Sequence, residues 1–123
     1  KAVCGLEYEP IFNPIVADFF SGMCVSVPIY GRLLQRKMTV NQLKAFYKEY
    51  YASSNFIEIA DSDEAYLAAN LLTGTNMMRI FVAGNDDRIL LASVFDNLGK
   101  GASGAAVQCM NIMSGLDERV SLF

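Results

Sequence analysis

Histidine is absent from the 123 residues, which removes the commonest general base and a frequent metal ligand. The three cysteines, Cys4, Cys24 and Cys109, are odd in number and lack metal-ligand spacing, so a reduced setting fits best. No Cys-His or Ser-His-Asp constellation can be assembled from this chain, and alone it is not expected to catalyse anything. Charge is sparse. Only 19% of residues are charged, the net charge is −3, and the ten Lys and Arg residues are scattered. That distribution argues against a phosphate-tracking surface and against a polybasic membrane patch. There is no signal-peptide pattern and no apolar run long enough to span a bilayer. Together these features predict a cytoplasmic protein with neither nucleic acid nor membrane as a partner.

What is present is apolar content, at 53%, in a length that suffices for one domain with a real core. Residues 1–16 read as an extended segment, with Pro10 and Pro14 suited to an edge or an irregular strand. Met23, Val25, Val27 and Ile29 alternate with Cys24, Ser26, Pro28 and Tyr30, which predicts a strand over about 22–30 with one face on a core. Thr39-Val40-Asn41-Gln42 is a capping-box pattern. The helix behind it places Leu43, Phe46, Tyr47 and Tyr50 on one stripe, expected to pack on a sheet. The tyrosines at 47, 50 and 51 are read as packing rather than as a ligand-stacking cluster.

Residues 56–60 predict a short strand, residues 61–64 a solvated acidic loop, and residues 64–72 a short helix. Residues 77–83 and 88–95 are β-rich runs separated by Gly84-Asn85-Asp86-Asp87, the composition of a four-residue hairpin loop. Beyond them Ala102, Ala106, Met110 and Met113 form an apolar stripe on a last helix, residues 102–114, which is expected to be buried and to pack in part on an absent domain or chain. These elements describe an α+β fold. A mixed or antiparallel sheet carries the Thr39 helix, and with it the last helix, on one face.

The loop before that helix carries a decoy and a clue. Gly99-Lys100-Gly101-Ala102-Ser103-Gly104 satisfies G-x-G-x-x-G, but no second strand follows to complete a βαβ unit, so a small-residue turn that permits close packing is the better reading. The clue is Asp96-Asn97-Leu98-Gly99-Lys100-Gly101-Ala102. It resembles the D-N-L-x-K-G-A signature of N-acetyl-gamma-glutamyl-phosphate reductases and aspartate-semialdehyde dehydrogenases, of the glyceraldehyde-3-phosphate-dehydrogenase-like superfamily. The continuation Gly104-Ala105-Ala106-Val107-Gln108-Cys109-Met110-Asn111-Ile112-Met113, then Gly115-Leu116 and Ser121-Leu122-Phe123, resembles the reductase C-terminus. Phe12, Pro14 and Gly22 match the reductases' F-T-P-H-L-x-x-x-x-R-G-I motif, while Asn13, Ile15 and Ser21 replace its Thr, His and Arg.

That resemblance implies the C-terminal part, residues 1–123, of a longer NADP-dependent enzyme, ending naturally at Phe123, whose dinucleotide-binding domain, nucleophilic cysteine and histidine lie outside this chain. The implied chemistry is displacement of phosphate from N-acetyl-glutamyl phosphate by that cysteine, hydride reduction of the thioester by NADPH, and proton transfer by the histidine, a step of arginine biosynthesis. Cys4 lacks the flanks of the nucleophile and is read, like Cys24 and Cys109, as a small buried hydrophobe. The chain would supply scaffold, homo-oligomer interface, contact with its own N-terminal domain and one cofactor contact, Asn97, whose amide suits the nicotinamide carboxamide. Gly99 and Lys100 are the further cofactor candidates, and Asn13 and Ser21 mark the substrate region. A buried Ile15 and a neutral Ser21 put substrate identity in question. The plainer role for Asp96 and Asn97 is capping of the helix that starts near Gly101. An aspartate-semialdehyde dehydrogenase fragment and a non-catalytic interaction module remain alternatives.

Overall fold

The computed structural model describes residues 2–61 and 66–122. Its order is β1 (Met23–Tyr30), a 3-10 turn (Gly31–Leu33), α1 (Val40–Tyr50), β2 (Ile57–Ile59), β3 (Met78–Asn85), β4 (Arg88–Phe95), a π-helical turn (Gly99–Ser103) and α2 (Gly104–Met113). The strands form one sheet in the order β1-β4-β3-β2, antiparallel except for the parallel β2–β3 pair. The architecture is the expected α+β with a mixed sheet. Pro28 lies on edge strand β1, where its missing N–H removes no ladder bond from a central position.

Strand alternation divides the core. Phe81, Ala92 and Val94 face one side with Ala60, flanked by Cys24 and Leu67. The neighbouring residues Val82 and Ile89 face the other side, where they meet Leu43 of α1 and are flanked by Leu34, Met38, Val40, Tyr47 and Leu91. The register sets Val27 opposite Leu91 and Met23 opposite Phe95, so β1's apolar row shares the α1 side. The helix does not reach that far. Met23, Val25 and Val27 remain more than two-fifths exposed.

α1 begins as its sequence demands. Thr39 Oγ1 accepts from Gln42 N at 3.2 Å, Gln42 Oε1 accepts from Thr39 N at 3.0 Å, and Val40 N donates to Asp86 Oδ1 at 2.9 Å. Its stripe is narrower than the pattern suggested. Leu43 is buried and Tyr47 half-buried against the sheet, while Phe46 and Tyr50 are exposed and stack on each other with ring centroids 6.0 Å apart. An 11-residue helix on a three-residue edge strand and its neighbour has room for about one residue per turn at the contact.

Three further expectations change. The β3–β4 loop has two residues rather than four, because Asn85 Oδ1 accepts from Asp87 N and Arg88 N at 3.1 and 3.0 Å and closes the turn at once. Residues 66–68 are irregular and 69–74 are turns, not the helix read over 64–72; residues 62–65, which take in the start of that stretch and most of the acidic loop, lie outside the described residues. Asp61 pairs with Lys48. Residues 2–20 carry no regular strand, and Ile15, read as buried, is exposed, as are Ile11, Phe12, Val16 and Phe20. No helix among the described residues is long and apolar enough to cross a membrane.

In urea unfolding of this chain, Leu43→Ala should lower the unfolding free energy by about 3 kcal/mol. Phe46→Ala should cost under about 0.5 kcal/mol. Equal losses would contradict the placement of α1.

Candidate functional site

β4 ends at Phe95 and delivers Asp96 to a position only 4% exposed. Its carboxylate is surrounded by donors. Oδ1 accepts from Leu98 N at 2.8 Å and Gly99 N at 3.1 Å, while Oδ2 accepts from Gly74 N at 2.6 Å and Ser21 Oγ at 3.3 Å. The Asp96 carbonyl accepts from Gly101 N at 2.8 Å, the first of the wide i to i−5 bonds of the π turn; Ser103 N to Leu98 O, at 3.1 Å, is another. Gly74 N, then the Gly99 and Leu98 amides and the Ser21 hydroxyl, hold the Asp96 pKa below its ordinary 3.8 against the opposing cost of burial.

Asp96 therefore takes the capping role and Asn97 does not. Asn97 Oδ1 reaches across the chain to accept from Gly22 N at 2.7 Å. Only an oxygen can face that N–H, so the bond fixes the amide's orientation and sends Nδ2 the other way. Gly22 has φ of +123°, and a Cβ there would lie 2.5 Å from the Ala69 carbonyl oxygen, so glycine alone fits. Ser21, buried beside it, also receives a hydrogen bond from Thr73 Oγ1 on its carbonyl at 3.1 Å.

Asn97, Ser21 and Gly22 line a cleft of about 410 Å³ with Ile15, Val16, Phe19, Phe20, Met23 and Cys24. No charged side chain is among its lining residues. Of the sequence-derived candidates the structure thus unites Asn97 with Ser21 and leaves Asn13, Gly99 and Lys100 outside the cleft wall. Lys100 Nζ donates to Gln108 Oε1 at 2.8 Å and lies 5.4 Å from the Phe56 ring centroid, and its pKa is lowered by burial. Gly99 packs against the Thr75 carbonyl.

The small-residue turn works as a seat for α2. A Cβ on Gly104 would fall 2.3 Å from Asn76 Oδ1, a buried oxygen without a hydrogen-bond partner among the described residues, while Asn76 Nδ2 donates to Gln108 Oε1 at 3.3 Å. Gln108 Nε2 in turn donates to Glu118 Oε2 at 2.8 Å, and the Glu118 carboxylate also accepts from Asn55 Nδ2 at 2.6 Å. Asn111, 2% exposed, donates to the Glu118 and Val120 carbonyls. The buried face of α2 is thus Gly104 and Asn111, a polar seam. The Ala102, Ala106, Met110 and Met113 stripe is exposed, contrary to the burial its composition suggested, and the helix proper starts at Gly104 rather than 102. Cys109 and Cys4 are exposed as well, not buried.

Motif position singles out Asn97 and Ser21 but not Gly74 or Asn76, whose signal in the sequence is the Gly74-Thr75-Asn76 triplet ahead of β3.

A family model described as the semialdehyde dehydrogenase dimerisation domain matches residues 1–97. The chain is 39% identical to N-acetyl-gamma-glutamyl-phosphate reductase 2 of Nostoc sp., with 96% of this chain and 39% of that protein covered. The reductase of Trichormus variabilis gives the same identity and coverage, and that of Burkholderia cenocepacia is 39% identical over 90% of this chain and 37% of its own length. The chain spans about two-fifths of the length of these curated relatives.

Because the folded-state pKa of Asp96 is depressed, its stabilisation is fully present above 3.8 and is lost as pH falls through the folded-state value. The cost of Asp96→Ala should be about 3 kcal/mol at pH 7 and should shrink in urea unfolding at successively lower pH. A cost independent of pH would contradict the ionised junction. Gly104→Ala should cost about 2 kcal/mol by driving a methyl into Asn76. A neutral result would remove that contact from the account.

Proposed function

The chain belongs to the semialdehyde dehydrogenase dimerisation-domain family, and on that premise we propose that it serves an NADP-dependent N-acetyl-gamma-glutamyl-phosphate reductase, a cytoplasmic enzyme of arginine biosynthesis. The reaction is reductive dephosphorylation of N-acetyl-glutamyl phosphate to the semialdehyde. The dinucleotide-binding domain and the catalytic cysteine and histidine belong to the rest of the polypeptide. This chain holds the ring end of the cofactor, assembles the homo-oligomer and is inactive alone.

The observation that carries this reading is the Asn97 amide in an uncharged cleft. Gly22 N occupies one lone pair of Oδ1, and Nδ2 makes no hydrogen bond among the described residues. One acceptor site and the amide protons are left, the pair that a primary carboxamide needs. The residues present fit a nicotinamide. NADPH supplies hydride when bound; Asn97 would fix which ring face is presented, and Phe19 and Met23 would offer apolar contact beside it. Ser21 supports the wall from beneath rather than reaching substrate, and Lys100 braces the turn.

Two exposed apolar surfaces support the remaining assignments. The α2 stripe from Ala102 to Met113 suits packing on the dinucleotide-binding domain, and the row Met23, Val25 and Val27 suits burial in the assembled protein.

The test is NADPH oxidation by the full-length protein with N-acetyl-glutamyl phosphate against aspartyl phosphate. We expect turnover of the acetylated substrate, with kcat/KM about tenfold or more lower in Asn97→Ala. A folded, cofactor-binding protein that turns over neither substrate would overturn the reductase assignment.

A further inference from the structure

We propose that Asp96 is a positioning residue for Asn97, holding both ends of the bond that aims the Asn97 amide into the cleft; this rests on the cofactor contact proposed above. One end is the Asn97 backbone. Asp96 precedes it, and Oδ1 gathers the N–H groups of Leu98 and Gly99 that follow it, so the peptide plane leaving Asn97 and the next one are tied to one oxygen of the residue before it. The other end is Gly22, the donor to Asn97 Oδ1. Its neighbour Ser21 donates to Asp96 Oδ2, the same oxygen that Gly74 N reaches, and Thr73 Oγ1 holds the Ser21 carbonyl. Gly22 and Asn97 are 75 residues apart, yet a single carboxylate fixes where both stand.

Asp96 itself does not touch the space. It is buried, and the cleft is walled by Ser21, Gly22 and Asn97 instead. Its influence on a ligand must pass through Asn97. The two oxygens also divide the work, Oδ1 closing the local turn and Oδ2 tying the distant segments.

That division makes Asp96→Asn informative. The amide keeps its shape and retains one oxygen, which stays with Leu98 and Gly99; its NH2 then faces the Gly74 N–H, donor against donor, and the Gly74 arm of the distant tie opens even where the Ser21 hydroxyl turns to accept. Ser21→Ala is the milder counterpart, removing the hydroxyl arm and keeping the carboxylate with its three backbone donors.

The measurement is equilibrium titration of NADPH fluorescence on the full-length protein, as a double-mutant cycle with Asn97→Ala. Asp96→Asn should weaken NADPH binding roughly five- to tenfold, the size of one hydrogen bond, and Ser21→Ala roughly two- to threefold. In the Asn97→Ala background neither substitution should weaken it further. The KM for N-acetyl-glutamyl phosphate should stay unchanged in both, which general loosening of the fold would not produce. Full additivity with Asn97→Ala would overturn the inference and leave the cofactor contact standing. Unaltered NADPH binding in Asn97→Ala would overturn the contact itself and this inference with it. Should Asp96→Asn fail to fold, the Ser21→Ala cycle decides by the same criteria.

Discussion

A carboxylate taken out of water has to be repaid by donors, and the donors Asp96 finds come from three places in the chain. Leu98 and Gly99 follow it, Gly74 sits in the turn before β3, and Ser21 precedes β1. Burial alone would raise its pKa; the donors reverse the sign and keep it ionised. Each bond is ordinary in length, but they share one group, so moving any of the three segments leaves a buried charge short of a partner. The sheet brings the segments within range. β1 and β3 flank β4 along their full lengths, with Met23 and Met78 both opposite Phe95, so the approaches to β1 and β3 meet at the residue after β4. Asn97 is then held by consequence, its side chain having Gly22 as a fixed partner on that same junction.

Local rules were enough for much of the fold. The Thr39 to Gln42 capping box, the alternation of β1 and the apolar runs of β3 and β4 are short-range patterns, and the structure contains each of them. The failures also have local causes. Asn85 could end the hairpin early because its side chain caps the turn, which composition over four residues does not distinguish from a longer loop. Phe46 and Tyr50 lie on the helical stripe but beyond the edge of a sheet whose last strand is three residues long. α2 misled most, since its apolar residues outnumber its polar ones while the face it buries is Gly104 and Asn111. The site was half legible. Asn97 and Ser21 stood out by motif position, whereas the convergence of residues 21, 74 and 96 depends on strand register, which no spacing in the chain encodes.

The exposed apolar residues carry a consistent meaning alongside the family match. Ile11, Phe12, Ile15, Val16 and Phe20 precede the sheet, Met23, Val25 and Val27 lie on its edge strand, and Met110 and Met113 lie on α2. They are the surfaces that the proposed assembly would cover. The polar network from Asn55 through Glu118 and Gln108 to Lys100 and Asn76 fastens α2 without using that stripe.

The central claim is that the Asp96 junction makes three separate loops one cooperative unit. Native-state amide hydrogen exchange tests it directly, because Gly22, Gly74, Leu98 and Gly99 carry N–H groups bonded to Asp96 or Asn97 side chains rather than to the sheet ladder. The account predicts that these four amides are protected to a similar degree, near that of the β3–β4 core, and that all four lose protection together in Asp96→Ala. Exchange at unrelated rates typical of exposed loops, unchanged by the substitution, would contradict it.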